Sequence, residues 1–252
     1  MGRRGKTGRL KRNPSPDFWP IHRKELTWVV KPAAGPHSIK NCLSLTLVLR
    51  DILGVAKTKK EVGMILSEGK VTVDGKVRRK ADFPVGLMDV LSLPDMNKFY
   101  RVFPFKKGLS LSPIGKKETA FKFGRVENKI TLSNGVQLAL HDGSNILVKV
   151  PDPKNLKDVP YETFDILKLS LPDKQIVGST LTKVGNAAVI TGGKNIGKMG
   201  KIVEIEKTEA KKRRNALVVI EDKDGTRYQT ILDLVFSLIE MEPSMLEVQS
   251  VV

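Results

Sequence analysis

What the sequence holds little of narrows the reading first. It has one cysteine, Cys42, so neither a disulfide framework nor a cysteine-rich zinc site can be built. Cys42 is expected to pack as a small apolar group beside a helix. Long hydrophobic runs are missing: Arg50, Asp51 and Asp233 break the longest ones, and nothing approaches the roughly 18–20 apolar residues of a membrane span. The N-terminus carries charge without an apolar core, which argues against a secretory signal. Lys6 stands where an N-myristoylation motif needs Ser or Thr, and Pro14 disqualifies Asn13-Pro14-Ser15 as a glycosylation acceptor. Catalytic constellations are missing too. His22 and His37 have no partner at metal-ligand or triad spacing, and the His141-Asp142 pair borders a turn and lacks a nucleophile. The expectation is a cytoplasmic protein that is not an enzyme, with no cofactor, no metal, no membrane contact and no small-molecule substrate.

Acid is scarce in the first third. The chain of 252 residues carries 44 Lys and Arg against 27 Asp and Glu, a net charge of +17. Residues 1–80 hold 19 of those cations and only 6 acids; the remainder holds 25 and 21. A positive field concentrated in this way is expected of a polyanion site. An anionic membrane would also attract it, but the N-terminal run has no apolar face for an interfacial helix. Arg3, Arg4, Lys6, Arg9, Lys11 and Arg12 fall within the first twelve residues without an acid. Glycine and proline interrupt any helix there, so residues 1–36 read as an extended arm with little structure of its own, ordering on nucleic acid. Phe18, Trp19 and Trp28 are too apolar for a mere tail: they either pack the arm onto the next unit, the favoured reading, or stack on bases.

Residues 37–93 organise the chain. Gly35-Pro36-His37 turns into them. Leu45, Val48, Leu49 and Ile52 at i, i+3, i+4 and i+7 predict a helix with one apolar face. Thr58 and Glu61 form a capping box opening a second, short helix whose Val62, Ile65 and Leu66 share a face; Gly69 is placed to end it. Val71 and Val73 alternate with Thr72, and Asp74-Gly75 is a hairpin signal before a return strand carrying Lys76, Arg78, Arg79 and Lys80.

From 94 to 170 the sequence reads as a small β-rich domain, with hairpin signals at Asn134-Gly135 and Asp142-Gly143 between alternating Ile130, Leu132, Val136, Leu138 and Leu140. Lys106, Lys107, Lys116 and Lys117 give it a modest basic edge. From 171 to 252, VGNAAVITGGKNIGKMGKIVEIE predicts two strands joined by a Gly- and Lys-rich loop, and Asp224-Gly225 marks a further hairpin. Gly192 to Lys198 also fits G-x-x-x-x-G-K. However, Met199 replaces the Mg²⁺-binding Ser or Thr, and a strand follows where a phosphate-binding helix should begin, so nucleotide hydrolysis is disfavoured. Lys211, Lys212, Arg213 and Arg214 read as an exposed basic loop, and the acidic, apolar C-terminal stretch is uninformative.

The helix–helix–hairpin order, with Lys59 and Lys60 at the second helix start and Gly69, Val71, Val73, Asp74 and Gly75 after it, resembles the S-four-type RNA-binding module. The loop with Gly193, Gly197 and Gly200 among Lys194, Lys198 and Lys201 resembles the KOW motif of SH3-like barrels. Together with GPH at 35–37, DGKVR at 74–78, FPVGLMDV at 83–90 and ITGGKNIGKMG at 190–200, the chain resembles the small-subunit ribosomal protein family called S-four-e. The absence of a long basic tail after the barrel favours the archaeal type. The resemblance implies an α+β, multi-domain fold: a basic extension (1–36), a small α/β module (37–93), a β-rich central domain (94–170) and an SH3-like KOW barrel (171–252). It implies binding to small-subunit rRNA in the ribosome, beside neighbouring ribosomal proteins, by cations that neutralise phosphates. The residues expected to carry binding are Arg3, Arg4, Lys6, Arg9, Lys11, Arg12 and Arg23 in the arm. In the module they are His37, Lys40, Arg50, Lys57, Lys59, Lys60, Lys76, Arg78, Arg79 and Lys80, and in the loop Lys194, Lys198 and Lys201. Two other readings are an RNA-modifying enzyme, for which residues 94–170 look too small and too poor in motifs, and a KOW-type elongation factor, which the charged arm and the module argue against.

Overall fold

The computed structural model describes residues 9–22, 24–106, 108–150, 159–206 and 213–238, and most of these lie in short antiparallel strands. β1 (Leu10–Lys11) pairs with β2 (Trp28–Val29). β3 (Cys42–Ser44) leads into α1 (Leu45–Leu47), capped by Ser44, whose hydroxyl accepts the Leu47 N–H at 3.4 Å. The path continues as a π-helical turn, Val48–Ile52, which the Leu53 N–H closes onto the Val48 carbonyl. Thr46 and Leu47 are buried along with the four apolar residues that the periodicity marks, so the segment is buried on nearly every side rather than along one stripe.

α2 (Lys59–Ser67) begins at Thr58, which accepts the Glu61 N–H at 3.2 Å. The Glu61 carboxylate accepts the Lys57 N–H at 2.8 Å, one residue earlier than a strict capping box, and also bonds the Thr58 hydroxyl. Gly69 takes φ +76° after the helix. β4 (Thr72–Val73) and β5 (Lys76–Val77) meet at Asp74 and Gly75, with φ +52° and +74°, as the two-residue hairpin signal requires.

β6 (Pro84–Gly86) pairs with β3, and β7 (Val90–Leu93) with β4. Pairing then continues beyond residue 93: β8 (Lys98–Phe105) and β9 (Gly108–Pro113) complete a sheet of order β5-β4-β7-β8-β9. The central sheet holds β10 (Phe121–Leu132), β11 (Gly135–Leu140), β12 (Asn145–Val148), β13 (Ile166–Ser170) and β14 (Ile176–Thr180), in the order β12-β11-β10-β13-β14. It too runs past the sequence-based boundary, here at 170. The third sheet holds β15 (Ala187–Ile190), β16 (Met199–Glu206), β17 (Leu217–Glu221), β18 (Arg227–Ile231) and β19 (Val235–Ser237), in the order β18-β17-β16-β15-β19.

The described part of the arm is not the unstructured extension expected of it. Trp19 is 2% exposed in the first core, among residues such as Leu43, Leu49, Leu66 and Val102. Its Nε1–H donates to the Cys42 carbonyl at 2.9 Å. An indole buried with its one donor satisfied anchors this part of the arm despite the cations around it. Cys42 itself is fully buried, and burial, with the Asp89 carboxylate nearby, pushes its thiol up to about 12.

The sheets meet at a buried ionic cluster. Lys122, on β10, donates to Asp74 of the β4–β5 turn (2.8 Å), Asp89 of the turn before β7 (2.5 Å) and Asp142 of the β11–β12 turn (3.0 Å). Every one of the three carboxylates has a further donor. The Val90 N–H serves Asp74 at 3.0 Å, the Gly86 N–H and the His37 ring serve Asp89, and the Ser144 N–H and hydroxyl serve Asp142. Lys174, from the β13–β14 turn, adds a second cation to Asp142 at 3.1 Å. Burial alone would raise the Asp89 and Asp142 carboxyls, but Lys122, helped by His37 at Asp89 and by Ser144 and Lys174 at Asp142, holds both well below the usual carboxylate range. Asp74 is raised, because its burial and the Asp89 charge outweigh Lys122. Lys122 stays protonated: the three carboxylates overcome its own burial.

Three residues along the same strand, Arg125 reaches the other way. It donates to the carbonyls of Asp233 (2.7 Å) and Val235 (2.9 Å), which tie the third sheet to β10, and pairs with Glu127 at 2.6 Å. His141 sits between these contacts. Its Nδ1 accepts the Arg125 N–H at 3.1 Å and its Nε2 bonds the Leu87 carbonyl at 3.1 Å, an arrangement that only the neutral ring can make. Burial, with Lys122 nearby, lowers it to about 4.

Two outcomes are expected. Lys122→Met removes the one cation shared by three buried carboxylates and should cost about 3–5 kcal/mol in urea unfolding; a variant as stable as the parent would contradict the assignment. Acid should also weaken the fold in two stages. His141 has a folded value below its ordinary 6.5, so its contribution is complete above that pH and disappears as pH falls towards about 4. The loss of Asp89 and Asp142 follows at lower pH, as their depressed carboxyls are protonated. Urea midpoints at pH 7, 5.5 and 4.5 measure the first stage, and His141→Gln should flatten it.

Candidate nucleic-acid interface

The basic residues fall into three surface groups and an interior set. At the start of α2, Lys57, Lys59 and Lys60 are exposed, since the helix turns only Val62 and Leu66 fully inward. Lys59 lines a cavity of about 530 Å³ with Arg9, Trp28 and Lys31, so the folded extension brings part of the arm to the helix start. The Arg9 guanidinium and the Lys11 ammonium lie 5.9 and 5.6 Å from the centroid of the Trp28 ring.

On the β4–β5 hairpin and beyond it, Lys76, Arg79 and Lys80 are exposed. Arg78 is half-buried with its guanidinium 4.3 Å from the Phe83 ring centroid, which fixes the orientation of a planar donor group. Lys76 and Arg78 border a cavity of about 380 Å³ whose floor is the Asp74, Asp89 and Asp142 cluster.

The third group lies at the loop between β15 and β16. Gly193 and Gly197 both take φ +79°. A Cβ on Gly197 would lie 2.9 Å from the Phe105 backbone, so the loop approaches the β8–β9 turn of its own chain. β16 starts at Met199, and the segment therefore lacks the helix a P-loop needs. Lys194 and Lys201 are exposed, and Lys198 is half-buried with its ammonium 5.2 Å from the Tyr228 ring centroid. A cleft of about 580 Å³ between the three sheets is shared by Lys40, which is exposed, and by Thr191, Gly192, Ile196 and Arg214.

Three expected contact residues are engaged within the chain instead. His37 is buried and bonded to Asp89 at 3.0 Å; its ring is committed to the cluster, because Asp89 needs a donor once it is out of water. Arg50 makes a two-point pair with Asp51, 2.9 Å for each bond. Arg12 donates to the Ile21 carbonyl (3.0 Å) and the Ser15 hydroxyl (2.9 Å), holding the turn that carries Trp19 inward. Arg3, Arg4, Lys6 and Arg23 lie outside the described residues, as do Lys107, Lys211, Lys212 and the C-terminal stretch from 239.

Sequence reasoning missed Lys122, Arg125 and Arg101. Arg101 is fully buried on β8, donating to the Glu118 and Phe121 carbonyls with Phe121 and Phe123 rings 5.0 Å away. The available signal was that FKFGR places two cations inside an apolar strand. Among the described residues no group of three or more His, Cys, Asp or Glu is arranged to hold a metal ion, and no helix is long and apolar enough to cross a membrane.

A cation-bearing helix–helix–hairpin unit set into a largely β chain defines the class: a multi-sheet protein built around an S4 domain. Family models agree, matching the S4 domain at residues 47–91, the RS4NT (NUC023) domain at 4–40 and ribosomal family S4e at 96–176. The small ribosomal subunit protein eS4 of Desulfurococcus amylolyticus is 46% identical over 240 residues, 94% of either chain. That of Staphylothermus marinus is 45% identical over 245 residues, 96% of either chain. A crystal structure of the 30S ribosomal protein S4e from Thermoplasma acidophilum is 30% identical with a TM-score of 0.64, covering 79% of this chain and 95% of that one. The chain belongs to the ribosomal S4e family, and these relatives are archaeal, as the sequence favours.

The close approach at Gly197 is testable against Gly193, which shares its φ but whose added Cβ would meet only the Leu234 side chain at 3.4 Å. Both alanine variants carry left-handed strain of order 1–3 kcal/mol. Gly197→Ala should lose more in thermal unfolding than Gly193→Ala; equal losses would rule out a tight loop–turn approach at Gly197.

Proposed function

We propose that this protein is a structural component of the small ribosomal subunit, one that binds rRNA through its folded arm, its S4 domain and a KOW-type loop. The relatives' names support the assembly, and five antiparallel strands around a Gly- and Lys-rich turn support reading the third sheet as an SH3-like KOW barrel. The residues proposed to meet phosphates are Arg9, Lys11, Lys40, Lys57, Lys59, Lys60, Lys76, Arg78, Arg79, Lys80, Lys194, Lys198 and Lys201, with Arg3, Arg4, Lys6 and Arg23 in the undescribed part of the arm. Neighbouring ribosomal proteins are the other proposed contacts, and the proposed location is the cytoplasm. The function involves no catalytic step.

One observation carries the reading. Five of the six acids of the S4 unit have partners within the chain: Asp51 has Arg50, Glu61 the helix cap, Glu68 Lys70, Asp74 Lys122, and Asp89 both Lys122 and His37; the sixth, Asp82, borders the cavity beside the α2 start. The exposed lysines at 57, 59, 60, 76 and 80, with Arg79, therefore face solvent as a field that is positive on balance. Such a surface gains from releasing the counterions condensed on RNA, and its fixed shape suits the folded backbone of RNA rather than a linear sequence.

Reversing Lys59, Lys60 and Arg79 to Glu should leave the fold intact, since all three side chains are at the surface. In filter-binding titrations with small-subunit rRNA, affinity should fall by about 100-fold or more near 0.1 M salt. The slope of log K against log salt should shrink by about 3, one for each phosphate no longer neutralised. An unchanged affinity and slope would refute the placement.

A further inference from the structure

We propose that Trp28 is a stacking platform for an unpaired RNA base, with Arg9, Lys11, Lys31 and Lys59 receiving the phosphates on either side of it. The proposal rests on the rRNA-binding reading above and deepens it by naming the form of RNA that this face takes. The chain has two tryptophans, and their fates differ: Trp19 is 2% exposed, whereas Trp28 is 52% exposed. Among the described residues, Trp28 is the one aromatic among the large hydrophobic side chains left exposed; the others are Leu, Ile, Val and Met. An indole in water is expensive unless a partner covers it, and the choice of partner follows from the surroundings.

Trp28 is paired with Lys11 across the β1–β2 ladder, which fixes its backbone and projects the ring from a folded element rather than from a loose tail. The adjoining cavity, of about 530 Å³, is lined by Arg9, Leu10, Lys31 and Lys59 and has Asp82 as its single acid. That volume falls in the usual range for a small ligand, roughly 300–1,000 Å³. Three cations in the lining, with Lys11 beside the ring, against one carboxylate select a polyanion over the mixed surface of a typical protein partner. A flat indole beside them selects a polyanion that carries rings. Bases inside a duplex already have both faces covered, so only an unstacked base, in a loop, a bulge or a single strand, can use the ring. No base-edge donors are needed, so the site should tolerate any base.

The test uses the full chain with two RNAs of equal length: a hairpin with an unpaired loop and a fully paired duplex. The hairpin should quench tryptophan emission and shield it from acrylamide; in Trp28→Phe, which retains only the buried Trp19, the shielding change should largely vanish. Trp28→Leu should bind the hairpin about ten-fold more weakly, with Trp28→Phe in between and duplex affinity unchanged in both. Equal losses on hairpin and duplex, or hairpin binding without any change at Trp28, would overturn the stacking proposal and leave the rRNA reading standing. Failure of the parent chain to bind either RNA would overturn both. Normal RNA affinity in Trp28→Leu, combined with loss of the protein from assembled subunits, would make Trp28 a protein contact and likewise refute it.

Discussion

The fold depends on a lysine kept out of water. Lys122 spends its three ammonium protons on three aspartates that come from three separate turns, two of them on the S4 side of the molecule and one on the central sheet. Ionic groups out of water are costly, and their mutual attraction offsets that cost only where the geometry is good and the remaining lone pairs are filled. Here each carboxylate has a donor besides Lys122: the N–H groups of Gly86, Val90 and Ser144, the His37 ring and the Lys174 ammonium. The gain is one of position. An apolar contact between sheets tolerates sliding, whereas a lysine with three fixed acceptors does not. Arg125, three residues along β10, repeats the device toward the third sheet with carbonyl acceptors in place of carboxylates.

The sequence disclosed the local chemistry of these places without their joint purpose. Asp74-Gly75 and Asp142-Gly143 were legible as turns because the rule behind them is backbone-local: both residues of the first take left-handed φ, and in the second the glycine does. The same aspartates' side chains answer to Lys122, 48 and 20 residues away, and no spacing rule spans that distance. Lys122 itself was hidden by alternation. Between Phe121 and Phe123 a strand with one wet face would point it outward, yet β10 is buried on both sides over Lys122–Val126. His37 was misplaced for a related reason, since a lone histidine in a basic segment carries no sign of the buried Asp89 that claims it. The caps of α2, the pairings β4–β5 and β10–β11, and the Gly-rich link from β15 to β16 were all readable, because each is decided within a few residues.

Charge segregation follows from the same interior. A chain with 27 acids and 44 bases would show a patchwork surface if both signs were distributed alike. Instead, the acids of the S4 unit other than Asp82 are drawn inward or into short-range contacts, and the lysines on α2 and the β4–β5 hairpin are left facing solvent. Three aspartates in the core cluster thus do two things at once: they fix the sheets and they remove negative charge from the face on which the cations stand. Because a buried pair is screened little by salt and a surface field strongly, the frame should persist at ionic strengths where the outer field is already weak.

That separation bears on how a folded RNA is met. The three groups of cations stand on different elements: the α2 start with the packed arm, the β4–β5 hairpin, and the β15–β16 loop. If those elements moved freely, each phosphate contact would first have to offset the entropy of fixing its own element, and the total would fall well short of the sum. Lys122 and Arg125 meet that cost during folding, before any RNA arrives. The distances between cation groups are then a property of the protein, and under the proposed function an RNA would be selected by whether its phosphates stand at matching distances. On the function proposed above, recognition by shape would be a consequence of where two buried cations on one strand find their acceptors.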